Sequence, residues 1–143
     1  MEIKFVLVSE LKPHPKNRNI HNDPQLNRLS KLINYQGFRI PLIVSNRSGY
    51  IVAGHGRLES AKKNGLKELP VIFQDFETEE QEFSFMTSDN AIAMWAKLDL
   101  SEINKDIIDL GPELDIELLG IKNFNLDMSE KQKRKCPKCS YEW

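Results

Sequence analysis

The sequence predicts an α/β fold, in which a small mixed sheet with surrounding helices is followed by a helical second half and a short Cys-x-x-Cys tail. Two observations predict it. Short strand-like apolar runs alternate with capped helical patterns over residues 1–77, and helical patterns dominate residues 78–126. This alternation is typical of helices packed against a single sheet.

Four apolar runs predict strands at residues 3–8, 42–44, 50–53 and 69–73. Residues 13–19 follow the first strand and form the Pro-rich loop. Its two prolines exclude a helix and remove two backbone donors. Because proline cannot donate a hydrogen bond, Pro70 is expected to start the fourth strand or to mark that strand as a sheet edge.

Capping residues mark the predicted helices of the first half. Asn22 supplies a capping side chain, Pro24 follows it at the start of the helix, and Gly37 ends that helix. A second, short helix is expected over residues 57–64, closed by Gly65.

The second half begins with a capping box at Thr78. Phe83, Phe85 and Met86 follow it and are expected to be core residues. Ser101 is expected to cap the next helix.

The composition is that of an ordinary globular domain. The chain has 143 residues, 40% of them hydrophobic and 29% charged, which suffices for one domain with a core of its own. No apolar run is long enough to cross a bilayer and no secretory signal opens the chain, so we expect no membrane contact. The two cysteines lie three residues apart, a spacing that excludes a disulfide framework across the core and favours a reducing, cytoplasmic location. The net charge of −1 excludes a global positive field, so any contact with DNA needs a local patch.

The turn formed by Gly54, His55, Gly56 and Arg57 carries the strongest chemistry in the sequence. It follows an apolar strand and opens a helix, whose free N–H groups and positive dipole end suit a phosphate. The glycines let the backbone approach a ligand closely, and Arg57 adds a cation capable of bidentate hydrogen bonding. A purely structural turn is the alternative.

The order of these motifs resembles the ParB N-terminal domain of the ParB/sulfiredoxin superfamily, over residues 3–122. It is most similar to a variant of phages and mobile elements that carries a Gly-His-Gly-Arg turn and often accompanies a DNA methyltransferase. The motifs that carry the resemblance are the loop 13–19, Gly37-Phe38-Arg39-Ile40-Pro41, residues 50–61, Gly65-Leu66, Ser88-Asp89-Asn90 and Leu118-Leu119-Gly120.

The resemblance implies a pocket for CTP or ATP with Mg²⁺. By position, the implied nucleotide-binding residues are Gly37, Arg39, Pro41, Gly54, His55, Gly56, Arg57 and Asn90. Asn90 is the residue implied to lie near the magnesium ion, with the end of a helix as its alternative role. Arg18 and His21, beside the Pro-rich loop, are expected to close over the ligand, and a solvated loop is the alternative.

The turn departs from the ParB pattern at two positions. His55 stands where ParB has Glu, and Gly56 stands where it has the first Arg. The loss of one carboxylate and one cation leaves open both the preference for CTP and the hydrolysis of the nucleotide. Because a histidine pKa lies near neutrality, His55 is predicted to act in catalysis as a proton shuttle or as a donor to phosphate, with an exposed turn residue as the alternative.

These features predict a ParB-like, nucleotide-binding and DNA-associated protein of a phage or mobile element, linked to DNA modification or partition. The alternative is an ATP-dependent small-molecule kinase or ATPase of the same superfamily. A nucleoside triphosphatase activity, on CTP or ATP, fits both. The expected partners are a nucleotide, DNA, a DNA methyltransferase and a second copy of the chain.

The segment 127–143 is predicted to be a basic linker and a zinc-knuckle-like tail, separate from a domain at 1–126. Cys136 and Cys139 supply half of a four-ligand zinc site, and the sequence holds no second cysteine pair. Three interpretations follow: the pair meets its copy in a homodimer, it begins a zinc ribbon whose remainder is absent, or it forms a small redox or degenerate tail.

We predict one zinc ion for every two chains, because two tails together complete a Cys₄ shell and convert metal-binding energy into association energy. Metal analysis combined with light scattering, before and after addition of a chelator, measures both quantities. A zinc-free monomer in both conditions contradicts the dimer, and Cys136→Ser is then expected to leave the domain unaffected.

Overall fold

The computed structural model describes residues 1–128. The chain divides into two compact units, Met1–Ala96 and Lys97–Trp143, and the boundary predicted between residues 126 and 127 stays a prediction. Within residues 1–128, no helix is both long enough and apolar enough to cross a membrane.

The first unit holds a sheet and the helices around it. Its elements are β1 (Ile3–Leu7), α1 (Asp23–Gln36), β2 (Leu42–Ser45), β3 (Ile51–Ala53), α2 (His55–Lys63), β4 (Glu68–Gln74) and α3 (Glu79–Ala93). The second unit holds α4 (Leu100–Leu110) and a 3₁₀ turn at Ile116–Leu119.

The sheet is mixed, with the strand order β1-β4-β2-β3. β4 pairs antiparallel with β1 and parallel with β2, and β3 returns antiparallel along β2. The parallel step from β2 to β4 passes through β3 and α2, as expected for a crossover that contains a helix. This small mixed sheet, with helices around it and a helical second half, confirms the predicted fold class.

Pro70 lies in an interior strand, so the expectation that it marks a strand start or a sheet edge is wrong. The N–H of Val8 donates to the carbonyl of Lys67 at 2.8 Å. Because such pairs alternate along an antiparallel ladder, Pro70 faces Phe5 in a non-hydrogen-bonded pair. Pairing with β2 begins only at Val71, so the sheet loses no hydrogen bond at the proline.

Two of the helices start at other residues than predicted. α2 begins at His55 rather than at Arg57, because Gly54 adopts the left-handed conformation that turns the chain into the helix. α4 is capped by Asp99, whose carboxylate accepts the N–H of Glu102 at 3.1 Å. Ser101, the predicted cap, lies inside the first turn of that helix.

The caps of α1 and α3 lie where the sequence predicts them. The Asn22 side chain accepts the N–H of Gln25 at 2.9 Å, and Thr78 accepts the N–H of Gln81 at 3.1 Å. Both caps satisfy donors that a helix leaves unpaired at its start.

The core lies between one face of the sheet and α2. Leu42, Ile51, Leu58 and Leu69 are fully buried and belong to one apolar cluster. Burial of side chains of this size stabilises the fold by about 1.5–3 kcal/mol each. The strand–turn–helix segment from β3 to α2 is therefore held on a rigid support.

α3 buries a different set of side chains than the sequence predicts. Met86 is buried as expected, but Phe83 is 41% exposed and Phe85 is half-buried. Glu82 and Met86 are four residues apart and thus share one helix face. That face is the buried one, so Phe83, one position further along, points away from it.

The buried carboxylate of Glu82 joins three separate segments of the chain. It is 1% exposed and accepts hydrogen bonds from the hydroxyls of Ser45 at 2.8 Å and Ser48 at 2.6 Å. His14 Nε2 lies 3.1 Å from the same carboxylate. Burial by itself raises the pKa of Glu82, but the hydrogen bonds from these three residues outweigh it and hold the pKa below its ordinary value. Glu82 is therefore ionised at neutral pH.

His14 fixes the Pro-rich loop through its ring and its backbone. The N–H of Lys16 donates to His14 Nδ1 at 3.0 Å, so Nε2 carries the proton and donates to the buried carboxylate. The backbone N–H of His14 donates to Nε2 of His55 at 3.2 Å. The loop is also tied to β3, because the N–H of Ile51 donates to the carbonyl of Lys12 at 2.9 Å.

His55 is buried, and its ring has a backbone partner. Nε2 accepts the N–H of His14 at 3.2 Å, which leaves Nδ1 as the protonated nitrogen of the neutral ring. Burial, followed by the charges of His14 and His21, lowers the pKa of His55 from 6.5 to about 4. The ring is therefore neutral at pH 7.

Glu82→Gln is expected to lower the free energy of unfolding by about 1–3 kcal/mol, because the amide leaves one of the buried donors without an acceptor. Urea denaturation at pH 7 measures this loss. Glu79→Gln is the matched control: this exposed carboxylate on the same helix forms its ion pair with Lys16 at the surface, and its loss is expected to change stability little. Equal losses in the two variants contradict the role of Glu82.

The buried, neutral His55 makes folding stability depend on pH. Between pH 6.5 and about 4 the unfolded chain binds a proton at this ring and the folded chain does not. Stability therefore falls as the pH is lowered through this window, by at most about 3 kcal/mol.

Denaturation curves from pH 7 to about pH 4.5 measure this dependence, since Glu82 titrates only below its ordinary value. His55→Gln is expected to flatten the curve in that window. A variant that keeps the full slope contradicts the assignment.

Candidate functional site

The turn between β3 and α2 admits only glycine at position 54. Gly54 has φ +101°, in the left-handed region where a Cβ is disfavoured. A Cβ added there would lie 2.3 Å from Leu42 Cδ2 and 3.0 Å from Arg57 Nη2. The first contact is a core side chain, and the second shows that the Arg57 side chain folds back over the glycine.

The first turn of α2 presents backbone donors without a capping side chain. Gly54 is the N-cap and supplies no side-chain hydrogen bond, and the first bond of the helix runs from the N–H of Leu58 to the carbonyl of Gly54 at 3.0 Å. The N–H groups of residues 55–57 precede that bond and have no acceptor within the helix. These N–H groups and the positive end of the helix dipole would both face an anion bound at the start of α2.

Arg57 lies in this turn as a half-buried cation with an unsatisfied donor. Its Nε is buried and has no hydrogen-bond partner within residues 1–128. Burial lowers the pKa of the Arg57 guanidinium, while the carboxylate of Asp89 on α3 acts in the opposite direction. A buried N–H of this kind is costly unless an acceptor reaches it.

His21 covers the second glycine of the turn. A Cβ added to Gly56 would lie 3.0 Å from His21 Cε1 and 3.3 Å from both ring nitrogens. The edge of the ring that carries the nitrogens therefore faces the first turn of α2. Gln25 holds the same edge of the ring, since its Oε1 lies 3.2 Å from His21 Nδ1.

A cavity of about 180 Å³ lies between the Pro-rich loop and α3. Its lining residues are Lys16, Asn17, Arg18, Asn19, Met86, Thr87, Asn90, Ala91 and Met94. The structure thus brings together Arg18 and Asn90, two predicted site residues from distant parts of the sequence. Lys16, which also lines the cavity, forms an ion pair with Glu79 at the surface.

The other predicted residues lie outside this cavity. Gly37 is the C-cap of α1, with φ +77°, and Arg39 is exposed in the segment that leads to Pro41 and β2. His55 points into the backbone of its own neighbourhood rather than toward solvent. Its predicted role in catalysis stays a prediction, and the geometry gives the ring a positioning function.

Residues 1–128 contain no group of three or more His, Cys, Asp and Glu side chains that fits a metal ion. Asn90 lies in the last turns of α3 and donates through Nδ2 to the carbonyl of Met86 at 3.3 Å, so its carbonyl oxygen is the atom suited to a cation. Cys136 and Cys139, the predicted zinc ligands, lie outside the described residues.

Sequence reasoning missed Glu82 and His14, the two residues that set the loop against α3. Each is a charged or polar residue in an ordinary helical or loop pattern, and no local signal predicts its burial. The one usable signal is that Glu82 occupies the helix face of Met86, four residues away.

A scan of protein families matches the ParB N-terminal domain over residues 1–90. The chain is also 31% identical, over 81 residues, to the ParB-like nuclease domain-containing protein YnaK of Escherichia coli (strain K12). That match covers 57% of this chain and 92% of the relative.

Two solved structures of the chromosome-partitioning protein ParB from Caulobacter crescentus, both C-terminally truncated, share the fold. The one complexed with CTP-γ-S has a TM-score of 0.63 at 22% identity, over 74% of this chain and 61% of that chain. The one complexed with the centromeric parS site has a TM-score of 0.52 at 20% identity, over 71% and 52%. This chain therefore spans only part of these ParB structures. The family match over residues 1–90 shows that the chain belongs to the ParB N-terminal domain family.

Proposed function

We propose that this chain binds a nucleoside triphosphate, with the phosphates at the first turn of α2. The observation that carries the proposal is the buried Nε of Arg57, which has no partner within residues 1–128 and lies in a turn with free backbone donors. A phosphate oxygen would satisfy both at once. A hydrogen bond between a guanidinium and a phosphate is charge-assisted and roughly twice as strong as a neutral one.

The local charge supports an anionic ligand even though the whole chain has a net charge of −1. Arg57 and the dipole of α2 lie at the turn, and Arg18 lines the nearby cavity. Half-burial of Arg57 strengthens its interaction with an anion, because water screens the pair less than at an open surface.

Asn90 and Asp89 are the residues that would hold a magnesium ion. Mg²⁺ in nucleotide sites keeps several waters and uses only one or two protein oxygens together with the phosphates, so these adjacent residues of α3 suffice. When bound, the ion would neutralise charge on the phosphate oxygens. Asp89 already acts electrostatically on Arg57, which supports a place for both near the same ligand.

CTP is the nucleotide that the comparisons favour, because a ParB structure with this fold is complexed with CTP-γ-S. ATP and hydrolysis of either nucleotide stay within the proposal. The second part of the proposal is an association with DNA, motivated by the parS-bound ParB structure. The expected links to phages, to a DNA methyltransferase and to a zinc-bridged homodimer rest on the sequence alone.

Arg57→Ala is expected to weaken nucleotide binding by about 1.5–3 kcal/mol, which corresponds to roughly 10- to 150-fold, because one charge-assisted bond is lost. Calorimetric titration with CTP, ATP and GTP in excess Mg²⁺ measures the affinity and the preference. Arg28→Ala, at an exposed position of α1, is the matched control and is expected to bind as the wild type does.

Equal affinity of the wild type and Arg57→Ala rejects this site, and a wild type that binds no nucleotide rejects the function. The same titrations with and without DNA separate a DNA-associated module from a small-molecule enzyme. Binding that DNA leaves unchanged, together with phosphoryl transfer to a small molecule, would favour the kinase.

A further inference from the structure

The imidazole of His21 packs so closely against Gly56 that a side chain at position 56 would press on the ring. Gly56 is buried, and a side chain there would meet the ring at 3.0–3.3 Å, closer than most Cβ contacts in folded proteins. The ring therefore packs directly on the backbone of the first turn of α2. That turn is where the proposed function places the phosphates.

We propose that His21 is a phosphate ligand of this site that binds in its protonated form, so that nucleotide binding takes up a proton. The proposal rests on the proposed function. It adds a residue to the site and a regulation by pH that the cations Arg18 and Arg57 cannot supply, since arginine keeps its charge at all physiological pH values.

The hydrogen bonds of the ring define where the proton is needed. Gln25 Oε1 lies 3.2 Å from Nδ1 of His21, so Nδ1 is the donor in that contact and the neutral ring leaves Nε2 as an acceptor. A phosphate oxygen is also an acceptor and would be repelled by that lone pair. With Nδ1 donating to Gln25, protonation of Nε2 turns this edge of the ring into a donor for phosphate.

The turn on which the His21 ring packs already carries positive charge. The first turn of α2 presents the positive end of its dipole, and Arg57 lies in the same turn. His55, the titratable neighbour from α2 whose charge interacts with that of His21, is neutral at pH 7. Asp23 on α1 and Arg18 in the Pro-rich loop are the charged residues nearest to His21 in the sequence. A phosphate placed at this turn reverses the balance and favours the imidazolium.

The test is calorimetric titration of the full chain with CTP and excess Mg²⁺ at several values between about pH 6 and pH 8. Titration in two buffers of different ionisation enthalpy gives the number of protons taken up. The wild type is expected to take up a fraction of a proton near neutrality and to gain up to about tenfold in affinity per pH unit lowered.

His21→Gln is expected to abolish this uptake and to flatten the pH dependence, because glutamine donates without titrating. Any protonation of the nucleotide itself stays in this variant and is subtracted. Gly56→Ala is the second variant: it keeps the histidine and Arg57 but pushes the ring away, and it is expected to reduce the uptake. Thermal unfolding of each variant reports on the fold independently.

The outcomes separate this proposal from the one on which it rests. Proton uptake and a pH profile in His21→Gln equal to those of the wild type overturn the role of His21 and leave the nucleotide site intact. A wild type that binds no nucleotide at any pH overturns both. Loss of uptake in His21→Gln, with binding retained at high pH, supports the proposal.

Discussion

The ionised carboxylate of Glu82 is the constraint on which the arrangement of the first unit depends. It lies inside the protein at 1% exposure, where an unpaired charge would be very costly. The hydroxyls of Ser45 and Ser48, the ring of His14 and the guanidinium of Arg47, whose Nη1 lies 3.7 Å from Oε2, stabilise the charge there. These donors come from the β2–β3 turn and the Pro-rich loop, so one carboxylate on α3 fixes both segments against the helix. The cavity between the loop and α3 follows from that attachment.

The second constraint is the turn from β3 into α2, where the chain gives up stability locally. Gly54 takes a backbone conformation that is disfavoured for other residues, and His55 is buried and neutral at pH 7. Arg57 keeps a buried donor that has no partner within residues 1–128. The apolar cluster under the turn offsets these costs. Unfavourable local features of this kind are typical of ligand sites. A donor that already lacks an acceptor can bind one without any rearrangement of the protein.

Local chemistry accounts for what the sequence predicts well. The caps at Asn22 and Thr78 act within three residues, so the starts of α1 and α3 can be predicted, and so can the strand–turn–helix at Gly54. The failures are non-local. The pairing of His14 with Glu82 spans 68 residues, and the register that makes Pro70 harmless depends on where β2 happens to begin. Asp99 and Ser101 compete for one cap, and residue type alone does not rank a carboxylate and a hydroxyl two positions apart. The turn of the candidate site could be predicted from the sequence. The buried Nε of Arg57, which has no partner within residues 1–128, and the packing of the His21 ring against Gly56 could not, because both depend on the tertiary fold.

The charge of this site explains why a histidine suits the position beside Gly56. Arg57 and the dipole of α2 already put positive charge at the turn, and a further permanent cation packed on that turn would repel them whenever no ligand is bound. An imidazole carries no permanent charge, and in the proposed role it takes up a proton when a phosphate is bound at the turn. Glycine at position 56 favours this arrangement, because a side chain there would press on the ring. The proposed exchange of a fixed charge for a conditional one would couple the affinity for phosphate to pH and spare the free fold the repulsion.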